Sequence, residues 1–435
     1  MLKLLRSRVP SALLPPALAT GAPDPLEPTV LCDLSVVGNR LVAVEPSRAT
    51  AGPAGGVREI DLGGALVFPA FVDAHVHLDK THTWHRAPNR TGTFRDALQT
   101  LAGDKDRWTA EDLHRRAGFA LRTAWAHGTR LMRTHVDTGL PWAETSHAVM
   151  AELRTQWHGR IELQTVPLCD GELYATAAGG KIADLALRYG ASALGGFLQM
   201  SAELPGQLDR LLALAAEHRV GLDLHVDENG DPQAECLRLV AEAVLRNAFP
   251  HPVVCGHCCS LAVQAPARQQ STIALVKEAR VGVTALPLCN LYLQDRRVAA
   301  DGFSRSPRWR GLTLANDLLE AGVPLACASD NVGDAFCAYG DYDMLEVYVQ
   351  SVRLAHLDRN LADSVRVVTA TAADLVGRPD FGRVAVGAPA RLVVFSARRF
   401  SELLSRPDGA RRCLDGEELR VLRPPDFAEL READR

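Results

Sequence analysis

The chain has 435 residues, 47% of them hydrophobic and 23% charged, and this balance excludes a disordered protein. Lysine and arginine number 48 against 52 acidic residues, so the net charge of −4 gives no support to nucleic acid or an anionic membrane surface as a partner. No run of about 18 apolar residues is free of charge and proline, so we expect no membrane span.

The amino-terminal 65 residues are rich in proline, glycine and short β-type runs. Prolines at positions 10, 15 and 16 break the first apolar stretch into pieces too short for a signal peptide, so we interpret it as a strand. Similar short runs return near the carboxyl terminus. The predicted strands lie at 1–19, 31–38, 40–45, 391–395 and 419–422. This pattern predicts a small, β-sandwich-like composite domain formed by both termini, residues 1–65 and 379–435.

The middle of the chain alternates between β-prone apolar runs and stretches of helical spacing. Eight runs lie at 65–76, 129–134, 161–168, 193–198, 220–226, 253–255, 281–288 and 323–328. Eight such units predict an α/β fold, a (β/α)₈ TIM barrel over residues 66–378. A doubly wound open sheet is disfavoured because no G-x-G-x-x-G follows a strand.

Ten cysteines are spread along the chain, most of them inside apolar runs. Cys255 and Cys258 form a C-x-x-C pair, but no second pair follows at the spacing of a zinc ribbon. We therefore expect reduced, buried cysteines in a cytoplasmic enzyme.

The most informative segment is His75-Val-His77, at the end of the first predicted barrel strand. Residues two apart on a strand project from the same face, so the two imidazoles can share one ion. Imidazole is a good ligand for zinc and iron. The carboxyl ends of the strands are also where barrels of this type hold their active sites.

Three further runs end in residues that can ligate a metal. They are His225, Asp227 and Glu228 after the fifth run, His257 after the sixth and Asp330 after the eighth. Each has an ordinary explanation when taken singly, since Asp330 could cap a helix and His257 could be a loop residue. Four strand ends that all carry such residues predict a metal site.

This pattern is that of the amidohydrolase superfamily, and the chain resembles bacterial cytosine deaminase and related metal-dependent hydrolases. The matching blocks occur in order at 71–81, 133–137, 224–228, 256–257, 287–294 and 329–332. The resemblance implies one divalent transition metal ion, zinc or iron, and its ligands would be His75, His77, His225 and Asp330. No lysine follows the fourth run, and Lys80 is too close to His77 to bridge two ions, so we expect it to face a neighbouring loop.

The resemblance also implies catalytic roles for His257, Glu228 and Asp330. His257 would hold and help deprotonate the metal-bound water, and Glu228 would carry the proton to a ring nitrogen. The implied reaction is deamination of a cyclic amidine or aminopyrimidine-like ring, in which hydroxide formed at the metal attacks and ammonia leaves. The chemistry agrees, because a divalent ion lowers the pKa of bound water toward about 7 and one carboxyl can serve both proton transfers.

Four candidate substrate-binding positions depart from the cytosine deaminase pattern. Asp170, Gln199, Asn331 and Phe336 stand where that family has a glutamine, a histidine, a carboxylate and a tryptophan. An ionised Asp170 only accepts hydrogen bonds, so it favours a ring edge with N–H donors and predicts that cytosine is a poor substrate. The alternative for Asp170 is a cap on the following turn.

The substrate is therefore expected to be a different small heterocycle: an isocytosine-like pyrimidine, an aminotriazine, or another cyclic amidine or guanidine. Hydrolysis of a cyclic amide, or removal of an alkylamine from an aminotriazine-like ring, is the alternative reaction. An inactive scaffold would be favoured by loss of a ligand or of Glu228, and neither is seen. The sequence does not distinguish zinc from iron or manganese, and it leaves the oligomeric state open, although the family tends to form homo-oligomers.

Overall fold

The computed structural model of the chain describes residues 1–20, 24, 26–47, 56–139, 142–298, 303–407 and 410–431. The chain divides into two compact units. The first comprises Met1–Asp73, Arg122–Leu131 and Asp343–Pro425, and the second comprises Ala74–Leu121, Met132–Tyr342 and Asp426–Arg435. Among the described residues, no helix combines the length and the apolar character that crossing a bilayer requires.

The strands of the described residues are β1 (Leu2–Pro10), β2 (Thr29–Val37), β3 (Arg40–Pro46), β4 (Arg58–Asp61), β5 (Val67–Pro69), β6 (Phe71–Val76), β7 (Thr129–Asp137), β8 (Glu162–Leu168), β9 (Ala193–Phe197), β10 (Gly221–Val226), β11 (Val253–His257), β12 (Gly282–Ala285), β13 (Arg297–Val298), β14 (Ser304–Arg305), β15 (Leu325–Cys327), β16 (Arg391–Val394), β17 (Arg412–Asp415) and β18 (Glu418–Arg420).

The α-helices are α1 (Pro16–Ala19), α2 (Phe94–Asp104), α3 (Ala110–Ala126), α4 (Ala143–Gln156), α5 (Ala177–Arg188), α6 (Leu204–His218), α7 (Cys236–Arg246), α8 (Pro266–Glu278), α9 (Pro287–Leu293), α10 (Ala315–Ala321), α11 (Met344–Ala355), α12 (Leu361–Ser364), α13 (Ala370–Leu375), α14 (Phe400–Ser405) and α15 (Ala428–Arg431).

The first unit contains two small sheets with strand orders β3-β2-β1-β4 and β18-β17-β16-β5. Strands β2 and β3 are antiparallel and meet at Gly38, whose φ of 59° suits the tight turn predicted there. One buried cluster of this unit, its aliphatic core, consists almost entirely of aliphatic side chains, with Leu4, Leu34, Leu392 and Leu414 among its members. Strands are thus present at both ends of the chain, but the strand predicted at 1–19 ends at Pro10. Helix α1 begins at Pro16, since proline suits the first position of a helix.

The second unit carries a five-stranded parallel sheet of order β15-β12-β11-β10-β9. The unit also contains the part of β6 that starts at Ala74 and the part of β7 that starts at Met132. Strands β6, β7 and β8 form a three-stranded sheet. Isolated parallel bridges link Val76 with Asp330 and Asp170 with Phe197. The predicted α/β class is confirmed, since parallel strands alternate with helices along most of this unit.

One predicted strand is shorter than expected. The apolar run 281–288 supplies β12 only to Ala285, and helix α9 begins at Pro287. Proline has no N–H to donate to a sheet but suits the first position of a helix. The early turn brings α9 to the carboxyl end of the sheet, where the candidate site lies.

Candidate metal centre and active site

Four predicted ligands converge at the carboxyl ends of three strands. His75 lies in β6, His77 directly follows it, His225 lies in β10 and Asp330 follows β15. The Nε2 atom of His225 is 3.1 Å from Nε2 of His75 and 3.3 Å from Nε2 of His77. The carboxylate Oδ1 of Asp330 is 3.2 Å from Nε2 of His77 and 3.7 Å from Nε2 of His75. All four side chains are buried.

These separations fit a single metal ion. Ligand atoms bound at about 2.0–2.1 Å in a tetrahedron lie roughly 3.3 Å apart, close to the four distances found here. Neither carboxylate oxygen of Asp330 accepts a hydrogen bond from a described residue. Buried oxygens without partners are costly, and a cation between Asp330 and the imidazoles would satisfy them.

The backbone around the cluster is locally strained. Asp227, His257 and Asp330 all adopt φ values between 52° and 69°, in the left-handed region that side chains with a Cβ seldom enter. Each lies at or just beyond the end of a strand. Such strain collects at functional sites, because the surrounding structure must hold it in place. Asp330 does not cap the next helix, since Asp343 caps α11 instead.

The electrostatics suit metal ligation. Burial lowers the pKa of His75 and of His225 well below the usual histidine value, so both imidazoles are neutral and have lone pairs to offer. Burial acts against ionisation of Asp330, but its contact with His77 and the neighbouring histidines outweigh that effect and lower the pKa of its carboxyl. A carboxylate among neutral imidazoles is the donor set that zinc or iron takes.

His257 and Glu228 lie beside the cluster and close to each other. The Nδ1 atom of His257 is 3.5 Å from Oε1 of Glu228. Burial, and then the charge of Asp330, raises the pKa of Glu228 well above its usual value and so favours the protonated carboxyl. Burial lowers the pKa of His257 to about 4, so its ring is neutral. The pair therefore combines a proton donor with a neutral imidazole at the edge of the ligand cluster.

The four predicted substrate-binding residues have different environments. Asp170 accepts a hydrogen bond from the backbone N–H of Glu172 (3.2 Å) and so caps the 3₁₀ turn that follows β8. Gln199 is exposed, whereas Asn331 and Phe336 are buried. The amide of Asn331 donates to Asp334 at 2.7 Å. Contact of these residues with a substrate remains a prediction.

Lys80 lies in a setting that differs from the expected loop contact. It is 3% exposed, and its Nζ is 2.8 Å from Oδ1 of Asp137, the last residue of β7. Lys105 approaches the other carboxylate oxygen of Asp137 at 2.8 Å. Two lysines, Lys80 from the segment after β6 and Lys105 from the end of α2, thus share the buried carboxylate that ends β7.

Sequence reasoning gave no role to several polar residues around the cluster. Arg133 pairs with Asp223 at 2.9 Å, and the ring of His135 lies 4.0 Å from that of His75, centroid to centroid. The alternation Arg133-x-His135-x-Asp137 could have indicated a functional face, because residues two apart on a strand share one side and these three are ionisable. The strand that carries them, β7, is buried throughout. The amides of Asn290 and Gln294 gave no comparable signal.

Comparison with known proteins identifies relatives over most of the chain. The amidohydrolase family matches residues 159–412. A pterin deaminase of Rhizobium rhizogenes is 45% identical over 371 residues, which cover 85% of this chain and 84% of that protein. An N-isopropylammelide isopropyl amidohydrolase of a Pseudomonas species is 27% identical over 379 residues, covering 84% of this chain and 87% of that protein.

Among solved structures, a 5-methylcytosine deaminase of Klebsiella pneumoniae superposes with a TM-score of 0.82 at 23% identity and covers 98% of each chain. This superposition shows that the two proteins share a fold. The family match and the 45% identical relative confirm the predicted superfamily and the predicted kind of enzyme, a metal-dependent deaminase that hydrolyses carbon–nitrogen bonds in cyclic amidines. The chain belongs to the amidohydrolase family.

Proposed function

We propose that the enzyme deaminates pterins, converting the 2-amino-4-oxopteridine ring to the 2,4-dioxo ring with release of ammonia. The relative that is 45% identical over 85% of the chain is a pterin deaminase, and this supports the substrate class. The pyrimidine half of a pterin is an isocytosine, one of the rings expected from the altered substrate pocket. The observation that carries the reaction type is the placement of Glu228 and His257 beside the ligand cluster.

We propose His75, His77, His225 and Asp330 as the ligands of one zinc or iron ion. Their separations and the unsatisfied oxygens of Asp330 support this assignment. The ion, when bound, would supply a hydroxide nucleophile at neutral pH by lowering the pKa of water.

Glu228 carries the protons. Its protonated carboxyl donates to the ring nitrogen as the hydroxyl group adds to C2, which makes that carbon tetrahedral. The resulting carboxylate takes the proton of the added hydroxyl and passes it to the amino nitrogen, so that the C–N bond breaks and ammonia leaves. The next water molecule restores the proton to Glu228. His257 orients the attacking oxygen, and Asp330 contributes its carboxylate to the ligand cluster from the segment that follows β15.

The finer architecture belongs to the same proposal. We propose that the eight strands β6 to β12 and β15 form a closed (β/α)₈ barrel within residues 66–378, and the bridges Val76–Asp330 and Asp170–Phe197 support closure at both sheet edges. The composite β-domain is supported by the grouping of Met1–Asp73 with Asp343–Pro425 in one unit. Ten free, buried cysteines support a cytoplasmic location. A homo-oligomer remains our expectation from the family.

Release of ammonia from a panel of heterocycles, or of isopropylamine from N-isopropylammelide, tests the proposal. Protein loaded with zinc or with iron is assayed on pterin, isocytosine, cytosine and N-isopropylammelide. We expect metal-dependent turnover of pterin, little turnover of cytosine, and no turnover by the His77→Ala variant. Turnover of N-isopropylammelide and not of pterin would show that the proposed substrate class is wrong, while the proposed catalytic site would stand. Turnover that survives removal of metal would overturn the mechanism.

A further inference from the structure

Helix α9 places two buried amides against Glu228 and His257, the acid–base pair of the candidate active site. Asn290 and Gln294 are four residues apart at the end of a short helix, so their side chains lie on one side of it. They are 1% and 9% exposed. Buried amides require hydrogen-bond partners, and the partners of these two lie in the candidate active site.

The two amides contact both members of the pair. The Nδ2 atom of Asn290 is 3.1 Å from Nδ1 of His257. The Nε2 atom of Gln294 donates to the backbone carbonyl of Glu228 at 3.0 Å. One turn of helix therefore holds the ring of His257 and the backbone from which the side chain of Glu228 projects.

Gly311 packs against this pair of amides from behind. Its φ is +71°, and a Cβ atom there would lie 2.3 Å from Cγ of Gln294 and 3.1 Å from Cβ of Asn290. Only glycine permits so close an approach in this conformation. The two amides are therefore confined between the backbone at Gly311 and the acid–base pair.

We propose that Asn290 and Gln294 are positioning residues, of which Asn290 holds His257 with its ring proton on Nε2 and Gln294 fixes the turn that carries Glu228. This inference rests on the roles proposed above for His257 and Glu228. An amide N–H that donates to Nδ1 requires the lone pair of that nitrogen, so the proton of the neutral ring must be on Nε2. Nε2 is buried and has no partner among the described residues, so it is available to donate a hydrogen bond.

The direction of that bond defines the contribution of His257. His257, His75 and Asp330 each bring a ligand-type atom within 4.8 Å of the others, so an oxygen at the cluster is within reach of the imidazole. An Nε2–H group orients such an oxygen by donating to it, whereas a bare Nε2 would take a proton from it. Because Asn290 holds the ring proton on Nε2, His257 donates a hydrogen bond and does not act as a base, so proton transfer is carried out by Glu228.

Nitrogen NMR of the imidazoles tests the inference without using activity. In metal-free protein labelled with ¹⁵N-histidine, the signals that vanish in His257→Gln identify this ring. We expect protonated Nε2 and unprotonated Nδ1 in the wild type, and a proton on Nδ1 in Asn290→Asp, because a carboxylate accepts where the amide donates. A wild-type ring protonated on Nδ1, or no change in Asn290→Asp, would overturn the inference.

Kinetics on pterin give the second readout. Loss of an interaction that orients an active-site group typically costs about 10–100-fold, so we expect Asn290→Ala and Gln294→Ala to lower kcat by that factor with KM and metal content unchanged. Asn247→Ala is the matched control, because this amide also makes two hydrogen bonds, to Asp209 and Ala243, away from the site. A raised KM with unchanged kcat would make the amides substrate contacts and refute the positioning role. If the wild type fails on pterin, the proposed substrate fails, and the NMR result still decides the role of Asn290.

Discussion

The aliphatic core of the first unit and the ligand cluster of the second are both buried, but the first consists of apolar side chains and the second of polar, ionisable ones. Leu4, Leu34 and Leu414 are inaccessible to solvent and have no polar side-chain atoms to satisfy. His75 and Asp330 are also inaccessible, yet each has polar atoms without a hydrogen-bond partner among the described residues. Burial of apolar area stabilises the fold, whereas an unsatisfied buried polar group costs about 1–3 kcal/mol.

This contrast separates what holds the chain together from what it does. The side chains of the aliphatic core need no ligand as a partner, because each methylene removed from water contributes favourably. The cost of the unsatisfied polar atoms in the ligand cluster is offset only when a cation and a substrate bind. Substitutions in the two regions should therefore have separable consequences: loss of stability in the first, and loss of metal or rate in the second.

The largest effect is expected at His77. His77→Ala removes one of four proposed ligands, so the purified protein should lose its ion and its activity should fall to background. Elemental analysis measures the metal, with about one ion per chain expected in the wild type. His158→Ala, which alters an exposed histidine, should keep both metal and activity. A content near two ions per chain, or full retention after His77→Ala, would refute the mononuclear assignment.

Glu228→Gln should produce the next largest effect. The amide keeps the size of the side chain but cannot carry a proton between the hydroxyl and the leaving amine, so kcat should fall about 10²–10⁴-fold. Metal content and thermal stability should remain those of the wild type. Glu242→Gln, on the surface of α7, is the control because its carboxylate pairs with Arg238 of the same helix. Simultaneous loss of metal would instead make Glu228 a ligand or a structural residue.

The same contrast explains how much the sequence alone could predict. His75, His77, His225 and Asp330 were recognisable because a ligand-type side chain that ends an apolar run is conspicuous. The strands were recognisable for the same reason, since a fully buried parallel strand is a continuous apolar run, as in β10 and β11.

Other features depended on where the chain turns after a strand. Asn290 and Gln294 are ordinary amides in the sequence, and their role follows from the start of α9 at Pro287 and from the close approach of Gly311. The pairing of Lys80 with Asp137 joins residues 57 positions apart. Such contacts follow from the packing of neighbouring strand ends, which a local pattern does not contain.

Leu34→Ala tests the other side of the comparison. This side chain in β2 is completely buried in the aliphatic core, so its truncation should lower the free energy of unfolding by about 2–5 kcal/mol. Denaturant titration measures the loss, and metal content and kcat of the folded protein should be unchanged. Val42→Ala, in the neighbouring strand and 44% exposed, should cost far less. A fall in kcat without a fall in stability would show that the two regions are not separable.

Asp170 provides the smallest and most discriminating test, because one carboxylate has two candidate roles. If its charge reads the substrate ring, Asp170→Gln should shift the ratio of kcat/KM toward cytosine by no more than about 1–3 kcal/mol. If it only caps the 3₁₀ turn through the N–H of Glu172, that ratio should not change.

Asp170→Asn separates the two roles, since it keeps an acceptor oxygen for the cap and removes the charge. We expect Asp170→Asn to move the ratio in the same direction as Asp170→Gln while keeping wild-type thermal stability. A ratio that stays constant in both variants would assign Asp170 to the turn alone and leave recognition of the ring to the residues that follow β15.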